Sequence, residues 1–459
     1  MPPPGPSPAD QFKLTVDHYV PELNDWLTEL PDRRDPLLIT YPVPNLLWQA
    51  LLLFVLRLGS RRELRQERWE GSFHANLDAL AATQTPQVAH PDTVNNYLEG
   101  LAPEHLQALG QRVVRHLLAN KVLNFARVAD HFLVAIDGTG FYSTSVRHCP
   151  HCLTQRQPSG NLLYYHNVLE AKLVTVNGLA FSLASEFIQN TDPQATKQDC
   201  ERKAFYRLLP ELRRAFPRLP MCLLLDGAFA CKEVLDQLKE NRCEGIISFK
   251  EGSLPRLWAE AQRQVQRRPA NRLCHRPDPQ TRQDLSWVTD LEHEGRPIHA
   301  IFCPETVTQP DQTTTTTHYS WLTTLRPTAR QVVRLANEGG RQRWKIENQG
   351  FNDQKNGGFE LEHGYGTKGH AWQNWYYLLQ LAHLLSQLLI KGDLFAKLLR
   401  HTAATPAAQR RCRTWTWHRF YGSVKHFITS LRRAWVTACF SPLTQSDFAR
   451  HIQIRLNTA

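Results

Sequence analysis

Apolar residues follow a helical rhythm over about residues 11–128, which predicts a mainly helical N-terminal region. The most apolar stretch, NLLWQALLLFVLRL at 45–58, is too short to span a bilayer and contains Arg57, so it predicts a buried helix. PDTVNNYLEG at 91–100 carries a helix-start signal and ends at a glycine, and a second helical run follows Ala102-Pro103-Glu104 through Leu118. Two helices joined by so short a turn fit either a DNA-binding helix-turn-helix or a plain structural pair.

The rhythm changes at residue 131. FLVAI at 132–136 is a continuous apolar run, as a buried strand requires. Strand-like runs at 166–176 and 179–188 flank Asn177-Gly178, a strong hairpin signal. Residues 195–216 have helical periodicity, MCLLL at 221–225 predicts a second buried strand, 230–241 a helix, and GIISFK at 245–250 a third. Strand, hairpin, helix, strand, helix, strand is the connectivity of a ribonuclease H-like sheet. A charged helix follows at 254–270, then β-like runs at 285–291, 297–302 and 319–325, with Glu294-Gly295 as a hairpin turn. Residues 341–355 read as a helix stopped by Asn356-Gly357-Gly358, and 372–390 as a strongly apolar helix. The expected class is therefore α/β: a ribonuclease H-like mixed sheet with a β-rich insertion, plus helical N-terminal and C-terminal regions. The expected division is 1–10 disordered, 11–128 a helical DNA-binding domain, and 129–250 and 327–392 the two parts of the catalytic core. Residues 251–326 form the insertion between those parts, and 393–459 a basic C-terminal region.

Charge adds a partner to this picture. The 459 residues carry a formal net charge of +11, which calls for a polyanion. Residues 395–459 hold 11 Lys/Arg against the single acid Asp447. Within that tail Arg411, Arg413 and Arg419 interleave with Trp415, Trp417, Phe420 and Tyr421, a pattern suited to DNA phosphates and bases, though a solvated basic surface has the same composition. The Pro-rich start, MPPPGPSP, has no apolar run and does not read as a signal peptide.

The ten cysteines are scattered rather than arranged as a disulfide framework, which points to a reducing, cytoplasmic setting. Only Cys149 and Cys152 form a tight pair, in His148-Cys-Pro-His151-Cys152, with His166 downstream. This spacing suits three ligands of a structural Zn2+, with His148 or His151 as a fourth; two unligated loop thiols fit it equally well.

Asp137 and Asp226 each follow an apolar strand run and precede a glycine, in AIDGTG and LLLDGA. Either alone is an ordinary turn. Together, on neighbouring parallel strands about 4.8 Å apart, they repel unless a cation lies between them. Mg2+ or Mn2+ takes such oxygen ligands, and a pair of ions serves phosphoryl displacement. Glu347, in GRQRWKIE, is the third acid expected beside those strand ends; Arg343, four residues earlier, shares its helical face, and Lys355 lies eight later.

The segments AIDGTGFYS, KQDCERKAFYRLL, FPRLPMCLLLDGAFAC, IISFKEGS, GRQRWKIENQGFNDQKNGG and YYLLQLAHLL resemble, in this order, the DDE transposases of bacterial insertion sequences in the broad insertion-sequence family four. The resemblance covers about residues 130–390. It implies two-metal cleavage of double-stranded DNA at inverted-repeat ends, joining to target DNA, a homodimer in the DNA complex and no membrane association. By this likeness Asp137 bridges both metals, Asp226 and Glu347 each hold one, Arg343 contacts phosphate, and an aromatic in the insertion, Trp287 or Trp321, stacks on a flipped base. Core packing is the other reading of both tryptophans. Two positions depart from the family: Gly340 stands where a Tyr is common, and Gln354 where a Lys is common, with Lys355 one further on. A nuclease without strand transfer, or a DNA-binding derivative that no longer cuts, are the alternative functions.

Overall fold

The computed structural model describes residues 6–67, 71–147, 149–190, 197–392, 394 and 421–441. It is an α/β protein built on one mixed sheet of eleven strands: β1 (Arg127–Val128), β2 (His131–Thr144), β3 (Leu153–Arg156), β4 (Leu162–Val174), β5 (Ala180–Ile188), β6 (Met221–Leu225), β7 (Glu244–Ser248), β8 (Arg272–His275), β9 (Thr281–His293), β10 (Arg296–Thr308) and β11 (Thr314–Thr323). Their order is β3-β4-β2-β6-β7-β11-β10-β9-β8, with β1 against β2 and β5 against β4. The β2–β6 and β6–β7 pairs are parallel and every other pair is antiparallel. The helices α8 (Glu201–Ala215) and α9 (Lys232–Glu240) make the two crossovers that parallel neighbours require.

Local sequence accounts for the turns. Glu294 and Gly295 both have positive φ, the backbone that a tight two-residue hairpin needs, and His293 pairs with Arg296 across it. The hairpin at Asn177-Gly178 is wider than two residues. The Gly178 N–H donates to the Thr175 carbonyl at 2.9 Å with Gly178 at φ 84°, so the glycine closes a four-residue turn instead of sitting at its centre.

Alternation along the strands sorts side chains into two cores. Phe132, Val134 and Ile136 of β2, with Met221, Leu223 and Leu225 of β6, face Phe205, Leu208 and Leu212 of α8. Leu133 and Ala135, with Cys222 and Leu224, face the opposite side, where Val332, Ile346 and Phe351 cover them. Strands covered on both faces carry no polar positions, which is why FLVAI and MCLLL are continuous apolar runs. The strands expected as an insertion extend this same sheet, because β11 pairs with β7 through Trp321↔Ser248.

The N-terminal region is helical: α1 (Pro8–Tyr19), α2 (Leu23–Thr28), α3 (Val43–Val55), α4 (Arg61–Glu67), α5 (Phe73–Ala81), α6 (Pro91–Gly100) and α7 (Pro103–Ala119). Every residue of α3 is buried. The first ten residues were expected to be disordered; from Pro6 onward they are not. Ser7 and Asp10 form a reciprocal capping box that starts α1 at Pro8. After α10 (Pro255–Arg267), two single-turn helices, α11 (Val332–Arg334) and α12 (Asn352–Asn356), bracket the Glu347 segment, and the apolar α13 (Ala371–Lys391) runs through the middle of the molecule. The α6–α7 pair is clamped to α13: the Asn374 side-chain amide donates to the carbonyls of Leu98 and Leu101, and the Trp375 indole N–H to Asn95. Packing of this kind is the structural-pair reading of the two helices. No described helix is long and apolar enough to cross a membrane.

Candidate active site

The pairing of β2 with β6 ends at Ala135↔Leu224, so two residues further on Asp137 and Asp226 stand at one level on adjacent parallel strands. Both belong to the face covered by the Glu347 segment, since Asp137 follows Ala135 and Asp226 follows Leu224 at the two-residue period. One expectation needs correcting: β2 does not stop at Asp137. It continues to Thr144 against β4, with Asp137↔Glu170 in register and a bulge between Gly140 and Tyr142. Asp137 is therefore held by a strand on one side and open on the side where β6 has ended.

Residues 341–355 are not one regular α-helix. The chain passes through a 3-10 turn at Gly340–Arg343 and a π turn at Ile346–Phe351 before α12. Wide π turns shift side-chain directions away from the 100° step, and they recur at functional sites. Here Ile346 and Phe351 remain buried while Glu347 is exposed. Arg343 is buried, and its Nη1 donates to Asp137 Oδ2 at 3.0 Å. The other Asp137 oxygen accepts from the Gly138 N–H at 3.0 Å. Burial raises the Asp137 carboxyl above its ordinary range, and the nearby charges of Glu347 and Asp226 push the same way; Arg343 and the Gly138 N–H oppose it.

A fourth acid joins this group. Glu201, in the first turn of α8, comes from the opposite face of the sheet and lies against Gly138: a Cβ there would meet Glu201 Oε1 at 2.0 Å. Its carboxyl is raised by burial, then by Asp137 and Asp226. Sequence reasoning missed Glu201 although KQDCERKAF was already noted, because no spacing rule joins a helix start to a strand sixty residues earlier.

Of the two readings of Trp287 and Trp321, burial favours core packing. Trp321 and Trp287 lie on either side of Ile301 in β10, and both are buried. The Gly340 backbone presses on the Trp321 indole, where a Cβ would meet ring atoms at 2.4 Å. This contact leaves no room for a larger residue at 340. The structure thus gives both residues a packing role. Trp344, which no sequence signal singled out, is 54% exposed, and the Arg343 guanidinium sits 4.7 Å from its ring centre. Gln354 is fully buried and donates to Gln380 at 2.8 Å, while Lys355 is half-buried in an ion pair with Glu362 at 2.7 Å.

The cysteine motif converges as its spacing suggests. Cys149 Sγ lies 3.2 Å from Cys152 Sγ and 3.3 Å from His166 Nε2, and Cys152 Sγ lies 3.9 Å from that nitrogen. Among the described residues this is the one set of three metal-ligating side chains whose ligand atoms fall within 4.8 Å of one another, so the acids are more widely spaced. His151 takes no part; its Nδ1 is 3.0 Å from the Asn190 carbonyl. His148 lies outside the described residues, as do Arg411, Arg413, Trp415, Trp417, Arg419 and Phe420 of the tail.

In the described part of the tail one face is core. Tyr421 accepts a hydrogen bond from Gln11 at 2.8 Å. In α14 (Val424–Thr437) Phe427, Leu431 and Trp435 are fully buried against the N-terminal helices, and the Asn76 amide donates to the Trp435 carbonyl at 2.8 Å. For Tyr421, stacking on DNA is thereby replaced by packing. No protein-family model and no curated protein matches the chain.

Proposed function

We propose that the chain is a DNA transposase with a ribonuclease H-like core, which cuts transposon ends and joins them to target DNA. The observation that carries this reading is the placement of Asp137 and Asp226 at one level on adjacent parallel strands, with Glu347 brought over them by the segment that buries Ile346 and Phe351. The donor set is all oxygen, and burial, with a smaller push from the charges of Glu347 and Asp226, raises Asp137, a cost that a hard divalent cation would relieve. Asp137, Asp226 and Glu347 would hold two Mg2+ or Mn2+ ions, which when bound activate an attacking oxygen and stabilise a leaving one.

The remaining parts suit a polyanionic substrate. Arg343, held against Asp137 and backed by the Trp344 ring, places a cation at the edge of the acids, where a phosphodiester would otherwise meet only negative charge. Trp344 itself offers an exposed ring on which a base can stack. Glu201 supplies a further carboxylate beside Asp137. The +11 net charge agrees with a DNA partner, and the need to pair two ends implies a dimer on DNA.

The test is a reaction with paired inverted-repeat ends, a supercoiled target plasmid and Mg2+ or Mn2+. End cleavage followed by joined products is the expected result. Cleavage without joining would leave a nuclease, binding without cleavage would leave a DNA-binding derivative, and neither binding nor cleavage would overturn the proposal.

A further inference from the structure

We propose that Cys149, Cys152 and His166 form a structural Zn2+ site that fastens the β2–β3 connection to β4 and to the first turn of α13. This inference is independent of the reading of the acids.

The geometry is that of ligands around one ion. With Zn–S near 2.3 Å and Zn–N near 2.0–2.1 Å, tetrahedral angles put sulfur–sulfur contacts at roughly 3.8 Å and sulfur–nitrogen contacts at roughly 3.6 Å. The observed 3.2, 3.3 and 3.9 Å lie around those values, and the sulfur pair is far outside the roughly 2.05 Å of a disulfide. Three soft or borderline ligands favour zinc over Mg2+.

The surroundings hold the ligands in place. His166 is buried, and its ring stacks on Trp372 at 4.4 Å with 16° between planes and on Phe141 at 6.1 Å with 25°. These stacked rings hold the plane of the imidazole, with Nε2 directed at the sulfurs. Cys152 is buried and Cys149 half-buried. The register also separates this site from the acids. His166 pairs with Tyr142 and Glu170 with Asp137, so the two sites are four residues apart along β4, about 13 Å. A metal here closes the long connection after β2; it does not join the carboxylates.

Binding releases protons: each thiol gives its proton to solvent as its sulfur joins the ion, and neutral His166 binds through Nε2. The full-length protein, purified reduced and without chelator, should contain one Zn2+ per chain by metal analysis. Cys149→Ser/Cys152→Ser should contain none and melt about 5 °C or more lower. Because that variant can fail to fold, wild type stripped of metal is titrated with Co2+. Thiolate-to-cobalt absorption bands should appear at one equivalent, persist with an altered ligand-field spectrum in His166→Ala, and be displaced by Zn2+. Stripped, reduced wild type that takes up neither ion, or protein that isolates with the two cysteines oxidised to each other and no metal, would overturn the proposal.

Discussion

Two clusters of potential ligands lie four register positions apart along β4, at His166 and at Glu170 opposite Asp137, and they are built on opposite plans. Cys149, Cys152 and His166 close to within 4.8 Å, backed by the stacked rings of Phe141 and Trp372. Asp137, Asp226, Glu347 and Glu201 are more open and come from both faces of the sheet; burial, and after it the neighbouring acids, raise Asp137 and Glu201, with Arg343 as counterweight at Asp137. A closed set holds one ion permanently and contributes to folding. An open, repelling set is poor for stability and suited to ligands that come and go. If both proposals hold, the contrast teaches that proximity of ligand atoms alone does not mark the working centre: the tighter cluster would fasten a loop, and the looser one would carry the chemistry.

The largest expected effect separates the two plans directly. Asp137→Asn, Asp226→Asn or Glu347→Gln should each reduce DNA cleavage at least about 100-fold while end-DNA binding stays near wild type. The Cys149→Ser variant should keep cleaving wherever it stays folded. Wild-type cleavage in any acid variant, measured on radiolabelled ends, would remove that acid from the site.

Next in size is the cost of disturbing packed ground. Trp435→Ala should destabilise the protein by about 3–5 kcal/mol, because it empties a fully buried site between α14 and the N-terminal helices. Removing everything from residue 421 onward should therefore lose the fold, not merely weaken DNA binding. A truncated chain that keeps the parent's thermal midpoint would show that α14 is dispensable.

The same division predicts opposite outcomes for two tryptophans. Trp344→Ala should weaken end binding by about 1–3 kcal/mol and leave stability within about 0.5 kcal/mol. Trp321→Ala should do the reverse, costing about 3–5 kcal/mol of stability. Binding isotherms and denaturant melts on both variants decide it, and equal effects on binding would erase the distinction between exposed and buried rings.

The smallest effect concerns a buried group on α13, apart from both clusters. Burial holds His383 down to about 4, against the opposing pull of Asp353, whose carboxylate lies 2.9 Å from Nε2. The unfolded histidine takes its proton near 6.5 and the folded one only near 4, so stability is full above 6.5 and is lost as pH falls toward 4. The difference in thermal midpoint between wild type and His383→Gln should therefore change across that window and stay flat above it. A difference that is constant from pH 7.5 to 4.5 would show that His383 titrates normally.

Much of the sheet was legible because strand signals are local. FLVAI and MCLLL had to be strands covered on both faces, and Glu294-Gly295 had to turn tightly. The level of Asp137 with Asp226 followed from placing those runs side by side. The Glu347 segment was harder: its periodicity reads as a plain helix, and only packing of Ile346 and Phe351 on one face, with Gly340 against Trp321, reveals the 3-10 and π turns between them. Glu201 was invisible for a related reason, since its neighbour Gly138 is brought to it by a crossover helix rather than by spacing.

By itself, then, the sequence determined the alternation that sorts β2 and β6 into two faces, the turns closed by Gly178 and Gly295, the buried α3 and the pairing of Cys149 with Cys152. These depend on a residue's own backbone preference and on a period of two or 3.6, which neighbours in the chain enforce. Tertiary structure decided the exposure of Trp344 over Trp321, the burial of Gln354, the packing of α14 and the approach of Glu201 from the far face. Each of those depends on which distant segment removes a side chain from water, and burial is a property of the assembled surfaces rather than of any residue taken alone.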